Sequence, residues 1–239
     1  MKYIFPERIR YSEVDQNGRL TLHRLIDILQ DCGTFHGEDN GVSIRYLKEN
    51  HLAWVVASWQ IIINELPMLG DRVNTGTWAY GYKGFIGLRN HDMVTPDGRV
   101  LVQANSEWVL MNTDKYHPAR VSDYIRDGYG LYPEMKIEAD FGGRKISIPE
   151  GGEEQEPITV MEYHLDTNHH VNNGQYVLMA QNYLPEDFRI RRFRAEYKKQ
   201  AFLGDEIRPC VSETKGGFII CLNTPEGEPY FVSEMLEKE

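Results

Sequence analysis

Residues 165–171, Leu165-Asp166-Thr167-Asn168-His169-His170-Val171, repeat the pattern of residues 14–20, Val14-Asp15-Gln16-Asn17-Gly18-Arg19-Leu20. The offset is 151 (166 − 15). In each copy an Asp and an Asn stand two apart, a basic residue follows two later, and an aliphatic residue closes the stretch. Self-similarity at a fixed offset marks a chain built from related units, and it has to be read before any single element.

The similarity runs outward from these loops. After the first, Leu22, Leu25, Ile26, Leu29 and Cys32 recur at helical spacing; after the second, Tyr176, Val177, Ala180, Tyr183 and Leu184 do so. Pro185 stops the second helix, which is expected over 172–184. Farther on, Leu69-Gly70-Asp71 pairs with Leu203-Gly204-Asp205, and Thr95-Pro96-Asp97-Gly98 with Thr224-Pro225-Glu226-Gly227. The latter are turn signals. They lie between runs that read as strands: Val73–Tyr80, Phe85–Val94 and Val100–Met111 in one half, Ile207–Thr214, Gly217–Asn223 and Tyr230–Leu236 in the other. One helix with several antiparallel strands in each half predicts an α+β fold. Residues 133–156, polar and rich in Gly, Pro and Glu, read as a linker between domains at 1–132 and 157–239.

With 239 residues, 41% hydrophobic and 26% charged, the chain is long enough for two modest cores. No apolar run approaches the ~18 residues of a membrane span. The start, MKYIFPERIRYSE, carries charges and a proline where a signal peptide needs an apolar run. Cys32, Cys210 and Cys221 are odd in number and widely spaced, which fits a reduced, cytoplasmic protein without a zinc site. A net charge of −10 argues against general nucleic-acid binding. Against that background Arg189, Arg191, Arg192, Arg194, Lys198 and Lys199 form a local basic cluster. Such a cluster suggests one acidic partner; the alternative is a solvated strand face.

The stretch His164-Leu165-Asp166-Thr167-Asn168-His169-His170-Val171-Asn172-Asn173 resembles the Asp-Leu-Asp-x-Asn-x-His-Val-Asn-Asn motif of plant and bacterial acyl-ACP thioesterases. Tyr11-Ser12-Glu13-Val14-Asp15 and Glu196-Tyr197-Lys198-Lys199 are similar to that family too. The resemblance implies a tandem hot-dog fold, each half a curved antiparallel sheet wrapped around one long helix. It implies a cofactor-free hydrolase of fatty acyl-ACP thioesters with its catalytic residues in the second half, acting on an acyl carrier protein. It also sets Asp166, Asn168 and His170 on the family's catalytic Asp, Asn and His. The plant members' catalytic Glu and Cys fall on Gln200 and Ala201, so a Cys–His mechanism cannot operate there. Glu196, four residues back or about 13 Å along a strand, is no easy substitute.

Thioester hydrolysis needs a nucleophile, a polarised carbonyl and a proton route. Asp166 is able to attack directly or to orient a water; His170 carries protons near neutrality; Asn168 can donate to an oxyanion. Unpaired amides at the start of the second helix favour negative charge, and Gln200 is expected as an orienting amide. Asn172 or Asn173 reads as a helix cap. His164, His169 and His170 lack a carboxylate or Cys at zinc spacing, so no metal is expected. The first copy holds Arg19 where the second holds His170, and arginine cannot act as a base. Leu52, Trp54, Val55, Val56, Trp59, Ile61, Ile62 and Ile63 make the first half the expected acyl-chain tunnel, although ordinary core explains most of them singly. An acyl-CoA thioesterase, a double hot-dog dehydratase and a non-catalytic acyl-binding protein are the competing readings. A homodimer is left open.

Overall fold

The computed structural model describes residues 2–237. It divides into two compact units. One holds the chain up to Ala57 together with Asn64–Phe141; the other holds Ser58–Ile63 together with the chain from Gly142.

The first unit contains β1 (Tyr3–Arg8), a 3-10 turn at Tyr11–Glu13, α1 (Leu22–Asp39), α2 (Ile44–Glu49), the first half of β2 (Leu52–Ile63), β3 (Arg72–Lys83), β4 (Ile86–Val94), β5 (Val100–Asn112), β6 (His117–Pro118) and α3 (Asp123–Tyr129). The pairs β1–β3, β3–β4 and β4–β5 are antiparallel. Leu22, Leu25, Ile26, Leu29 and Cys32 form the apolar stripe of α1 and are at most 1% exposed. Burial of each of the leucines and the isoleucine contributes roughly 1.5–3 kcal/mol. The Cys32 thiol reaches the Thr75 carbonyl of β3 at 3.5 Å, and burial pushes it up to about 12. The interior is not wholly apolar, however. Arg89 Nη2 lies 2.8 Å from His36 Nδ1 and the guanidinium sits 4.8 Å over the Tyr129 ring. Burial, then Arg89, pulls His36 down to about 3, which keeps it neutral as an acceptor.

The second unit contains β7 (Glu153–Glu154), β8 (Ile158–Thr159), a 3-10 turn at Glu162–His164, α4 (Asn173–Gln181), β9 (Ile190–Tyr197), β10 (Glu206–Thr214), β11 (Gly217–Asn223) and β12 (Pro229–Glu237). The second half of β2 pairs with β9, and the order continues β12, β11, β10, β7, antiparallel throughout. β8 also pairs with β10.

The duplication read in the sequence is physical. The 3-10 turns begin at Tyr11 and Glu162 and the helices at Leu22 and Asn173, each pair at the loop offset of 151. The two Thr-Pro-acid-Gly turns also match. Thr95 N donates to Arg99 O and Thr224 N to Glu228 O, with Gly98 at φ 91° and Gly227 at φ 87°. The left-handed value explains the glycine in both. The helices differ in length. α1 has 18 residues and α4 only 9. The second helix therefore ends short of the expected 184. Tyr183 N and Leu184 N bond to Ala180 O and Gln181 O, a tightening to i→i+3 that leads into Pro185.

The stretch expected as a linker, 133–156, is packed. In the first unit Trp78 Nε1 donates to Met135 O and Ile137 N to Asn90 Oδ1, both at 2.9 Å. In the second, Gln60 Nε2 donates to Gly142 O at 2.6 Å and Ile146 N to Glu196 Oε1 at 2.8 Å. Ile146 is buried with Ile219, Cys221 and Val232. The polar composition hides this, because the segment docks through backbone groups and a few apolar side chains.

Arg194 on β9 shows how tightly it docks. Nε and Nη2 form a fork on Glu234 at 2.6 and 2.7 Å, and Nη1 donates to Gly143 O at 2.6 Å. Both side chains of the pair are 14% exposed. Arg194→Met strands the Glu234 charge and should lower unfolding stability by about 3 kcal/mol. Denaturant titration checks this, and Arg194→Met with Glu234→Leu should recover much of the loss.

Candidate active site

The loop at 165–171 is closed by a bridge between Leu165 and Val171, as the loop at 14–20 is by Val14 and Leu20. Inside each, one aspartate oxygen gathers the backbone. Asp166 Oδ1 accepts from Asn168 N at 2.7 Å and His170 N at 3.3 Å; Asp15 Oδ1 accepts from Asn17 N at 2.8 Å and Arg19 N at 3.0 Å. The main-chain bonds repeat too: Asp166 N donates to His170 O and Asp15 N to Arg19 O, both at 2.8 Å. The aspartate is thus a loop-former in both copies, whatever further chemistry one copy adds. Asp166 Oδ2 faces the Asn168 amide, with Nδ2 at 3.5 Å.

The loop also demands a left-handed residue before the basic position. The first copy supplies Gly18 at φ 75°, the second His169 at φ 63°. A side chain there is strained, histidine less than most.

The flanks of the loop are matched as well. His164 and Glu13 occupy equivalent positions and are each 8% exposed. His164 Nδ1 accepts from Met161 N at 3.0 Å; Glu13 Oε2 accepts from Arg10 N at 2.7 Å. His164 is therefore a local cap, and burial lowers its pKa. Asn172 is the cap of α4, its Oδ1 accepting from Gly174 N at 2.7 Å. Its carbonyl accepts from Gln175 N at 2.9 Å. The helix start expected to hold free amides has these two engaged.

The copies also differ in the side chain after the left-handed residue, Arg19 in the first and His170 in the second. His170 is half-buried, and burial lowers its pKa, offset by the Asp166 charge and reinforced by His169. The imidazole meets the Phe202 ring edge-on, with centroids 4.9 Å apart and planes at 82°. Phe202 and Ala201 hold the loop from the side: Val171 N donates to Ala201 O at 3.0 Å, and Ala201 N donates to Tyr176 Oη at 2.9 Å. Ala201 is 0% exposed, so any side chain at this position is enclosed. Sequence reasoning missed Phe202 and Tyr176 as neighbours of the loop. The offset of 134 places Phe202 opposite Met68, whose backbone bridges Arg19, and that was the available signal.

Asp166, Asn168 and His170 share one closed loop, joined through the Asp166 carboxylate; Gln200 lies outside it. It stands exposed beyond the end of β9, and among the described residues its side chain has no hydrogen bond to the loop. Glu196 is 4% exposed and occupied by Ile146 N and by the Lys198 ammonium. The basic cluster is largely consumed within the protein. Arg194 is locked on Glu234, Lys198 on Glu196, and Lys199 lies 3.4 Å from Glu228. Arg191 and Arg192 are half-buried, and only Arg189, Lys198 and Lys199 are exposed. Arg194 cannot serve as a docking residue, because it is enclosed by the segment it anchors.

Two family models match the chain: the acyl-ACP thioesterase N-terminal domain over residues 2–129 and the acyl-ACP thioesterase C-terminal domain over 149–224. Oleoyl-acyl carrier protein thioesterase 1 of Arabidopsis thaliana, a chloroplastic protein, is 29% identical over 86% of this chain. Oleoyl-acyl carrier protein thioesterase 2 of the same plant is 30% identical over 75%. The chain spans 62% and 53% of the length of these two relatives. Among solved structures, an acyl-ACP thioesterase from Bacteroides thetaiotaomicron is similar with a TM-score of 0.88 and 25% identity, covering 98% of this chain and 97% of that one. The 12:0-ACP thioesterase of Umbellularia californica has the same fold, with a TM-score of 0.82, 19% identity, and 98% and 96% coverage.

If the aspartates are loop-formers, Asp15→Ala and Asp166→Ala should each cost about 1–3 kcal/mol of stability, measured by denaturant unfolding. His169→Gly should leave the loop intact and gain about 1 kcal/mol, since it relieves the left-handed side chain.

Proposed function

Because the chain belongs to the acyl-ACP thioesterase family, we propose that it hydrolyses the thioester joining a fatty acyl chain to acyl carrier protein. The observation that carries this reading is the duplicated loop in which His170 replaces Arg19. The same scaffold is built twice, and at this position only the second copy has a side chain able to take and return a proton near neutrality.

In the proposed reaction neutral His170 takes a proton from water as the water oxygen bonds to the thioester carbon. The Asn168 amide donates to the developing oxyanion. Asp166 Oδ2, the oxygen not gathering the loop, orients the water or the imidazolium. The C–S bond then breaks, and His170 returns its proton to the departing thiolate, leaving free thiol and fatty acid. Water attack is favoured over an acyl-aspartate, because Asp166 Oδ1 already holds two backbone amides. Gln200 is assigned no step. The first unit, with its apolar α1 and with Trp54 and Val56 on the first half of β2, is assigned to the acyl chain. Exposed Arg189 and Lys199 are the cations of the cluster that an acidic carrier would meet first; the exposed pair with Glu228 holds Lys199 only weakly.

An acyl-ACP and acyl-CoA panel of varied chain length, with free-thiol detection, tests the proposal. The expected outcome is turnover with kcat/KM higher for acyl-ACP. Higher values for acyl-CoA would favour the alternative substrate, and no thiol from any member would favour an acyl-binding protein.

The pH profile is a further prediction. The neutral imidazole is the working form, and burial lowers its pKa. Activity should rise with pH through a midpoint below the ordinary histidine value of about 6.5 and be level at neutrality. A midpoint above that value would contradict His170 as the base.

A further inference from the structure

We infer that Phe202 is a positioning residue for His170, fixing the plane of the imidazole and shielding one side of it from water. The inference rests on the thioesterase reading for its consequence in catalysis, but not for the contact itself.

Phe202 is 49% exposed, and its backbone is held independently of its ring. Its N–H donates to Asp205 Oδ2 at 2.9 Å, Tyr230 Oη donates to the same oxygen at 3.2 Å, and Gly204 N donates to Val160 O at 2.9 Å. A phenyl ring left half in water is not placed there by core packing. Its ring contact is the imidazole, at 4.9 Å and 82°. Aromatic pairs favour this perpendicular arrangement, and a turn of the imidazole about its Cβ–Cγ bond gives it up. The plane that directs the ring nitrogens is thereby limited. The first copy shows the position in its plain form. Met68 stands where Phe202 stands, with its Cε 3.8 Å from the place a Cβ would take on Gly18. The residue immediately before Leu-Gly-Asp thus lies against the loop in both copies, Met68 beside Gly18 in the first and Phe202 on His170 in the second.

Two charged or titratable groups act on the His170 charge, Asp166 and His169, both in its own loop. Asp205 and Tyr230 hold the covering turn from behind, and Tyr176 on α4 holds Ala201. Asp166 favours the charged ring and His169 opposes it, while burial, to which Phe202 contributes, dominates.

The test is an NMR titration of the His170 ring in the full chain, for the native protein and for Phe202→Ala, Phe202→Leu and Phe202→Tyr. Phe202→Ala should raise the His170 midpoint by on the order of 0.5 pH unit, as the ring gains water. Phe202→Tyr should restore it, and Phe202→Leu, which keeps bulk at half exposure, should fall between. On acyl-ACP, Phe202→Ala should lower kcat about tenfold with little change in KM, and the low-pH limb should move up with the titration. An unmoved His170 midpoint in both Phe202→Ala and Phe202→Leu overturns the inference. A shifted midpoint in a protein that hydrolyses no thioester would sink the functional reading and leave the contact standing.

Discussion

A carboxylate that accepts the backbone amides two and four residues ahead of it is the interaction on which the rest of this molecule turns. Asp15 and Asp166 each make it, and each closes a short bridged loop before a helix. Once that loop is closed, the next features follow from its geometry. The fourth residue sits in the left-handed region, and the helix begins three residues after the fifth. Each loop then delivers its helix to strands of its own unit, α1 to β1 and β3, α4 to β11 and β12. The fold uses the interaction twice; chemistry requires one further condition, a titratable side chain at the fifth position.

This separates two roles that a motif reading merges. Asp166 and Asn168 have counterparts in Asp15 and Asn17, so their presence alone does not distinguish an active loop from a structural one. His170 does. The aspartate remains able to assist the reaction through Oδ2, because a carboxylate has acceptor capacity beyond the two bonds that shape the loop. Loss of Asp166 therefore mixes a chemical and a conformational effect, whereas loss of His170 leaves the scaffold's hydrogen bonds, which are all made by other groups or by the backbone.

Much of this was legible in the sequence. The 151-residue offset, the turn landmarks and the apolar stripe of α1 are local patterns, and local patterns follow from backbone preference and helical or strand periodicity. Asn172 as a cap was legible for the same reason. The strands lie where their alternation and turn signals place them, with ends shifted by a few residues. What was hidden depends on partners distant in the chain. Arg194 looked like a surface cation because Glu234 is 40 residues away. Residues 142–146 looked like a linker because their burial comes through main-chain groups onto β2 and β9. Phe202 looked like one apolar residue in a turn, since nothing in its neighbours indicates an imidazole 32 positions earlier (202 − 170). The departures at Gln200 and Ala201 become interpretable only with burial known: position 201 is enclosed and position 200 is exposed.

The central claim is that one scaffold occurs twice and that His170 alone makes the second copy reactive. Exchanging the two side chains tests it most directly. Single-turnover thiol release from acyl-ACP should be at least about a hundredfold slower in His170→Arg, with unfolding stability nearly unchanged because Arg19 already shows that the loop accepts arginine. Arg19→His in the native background should leave the rate within about twofold. A His170→Arg protein that remains folded and releases thiol at the native rate would contradict the claim.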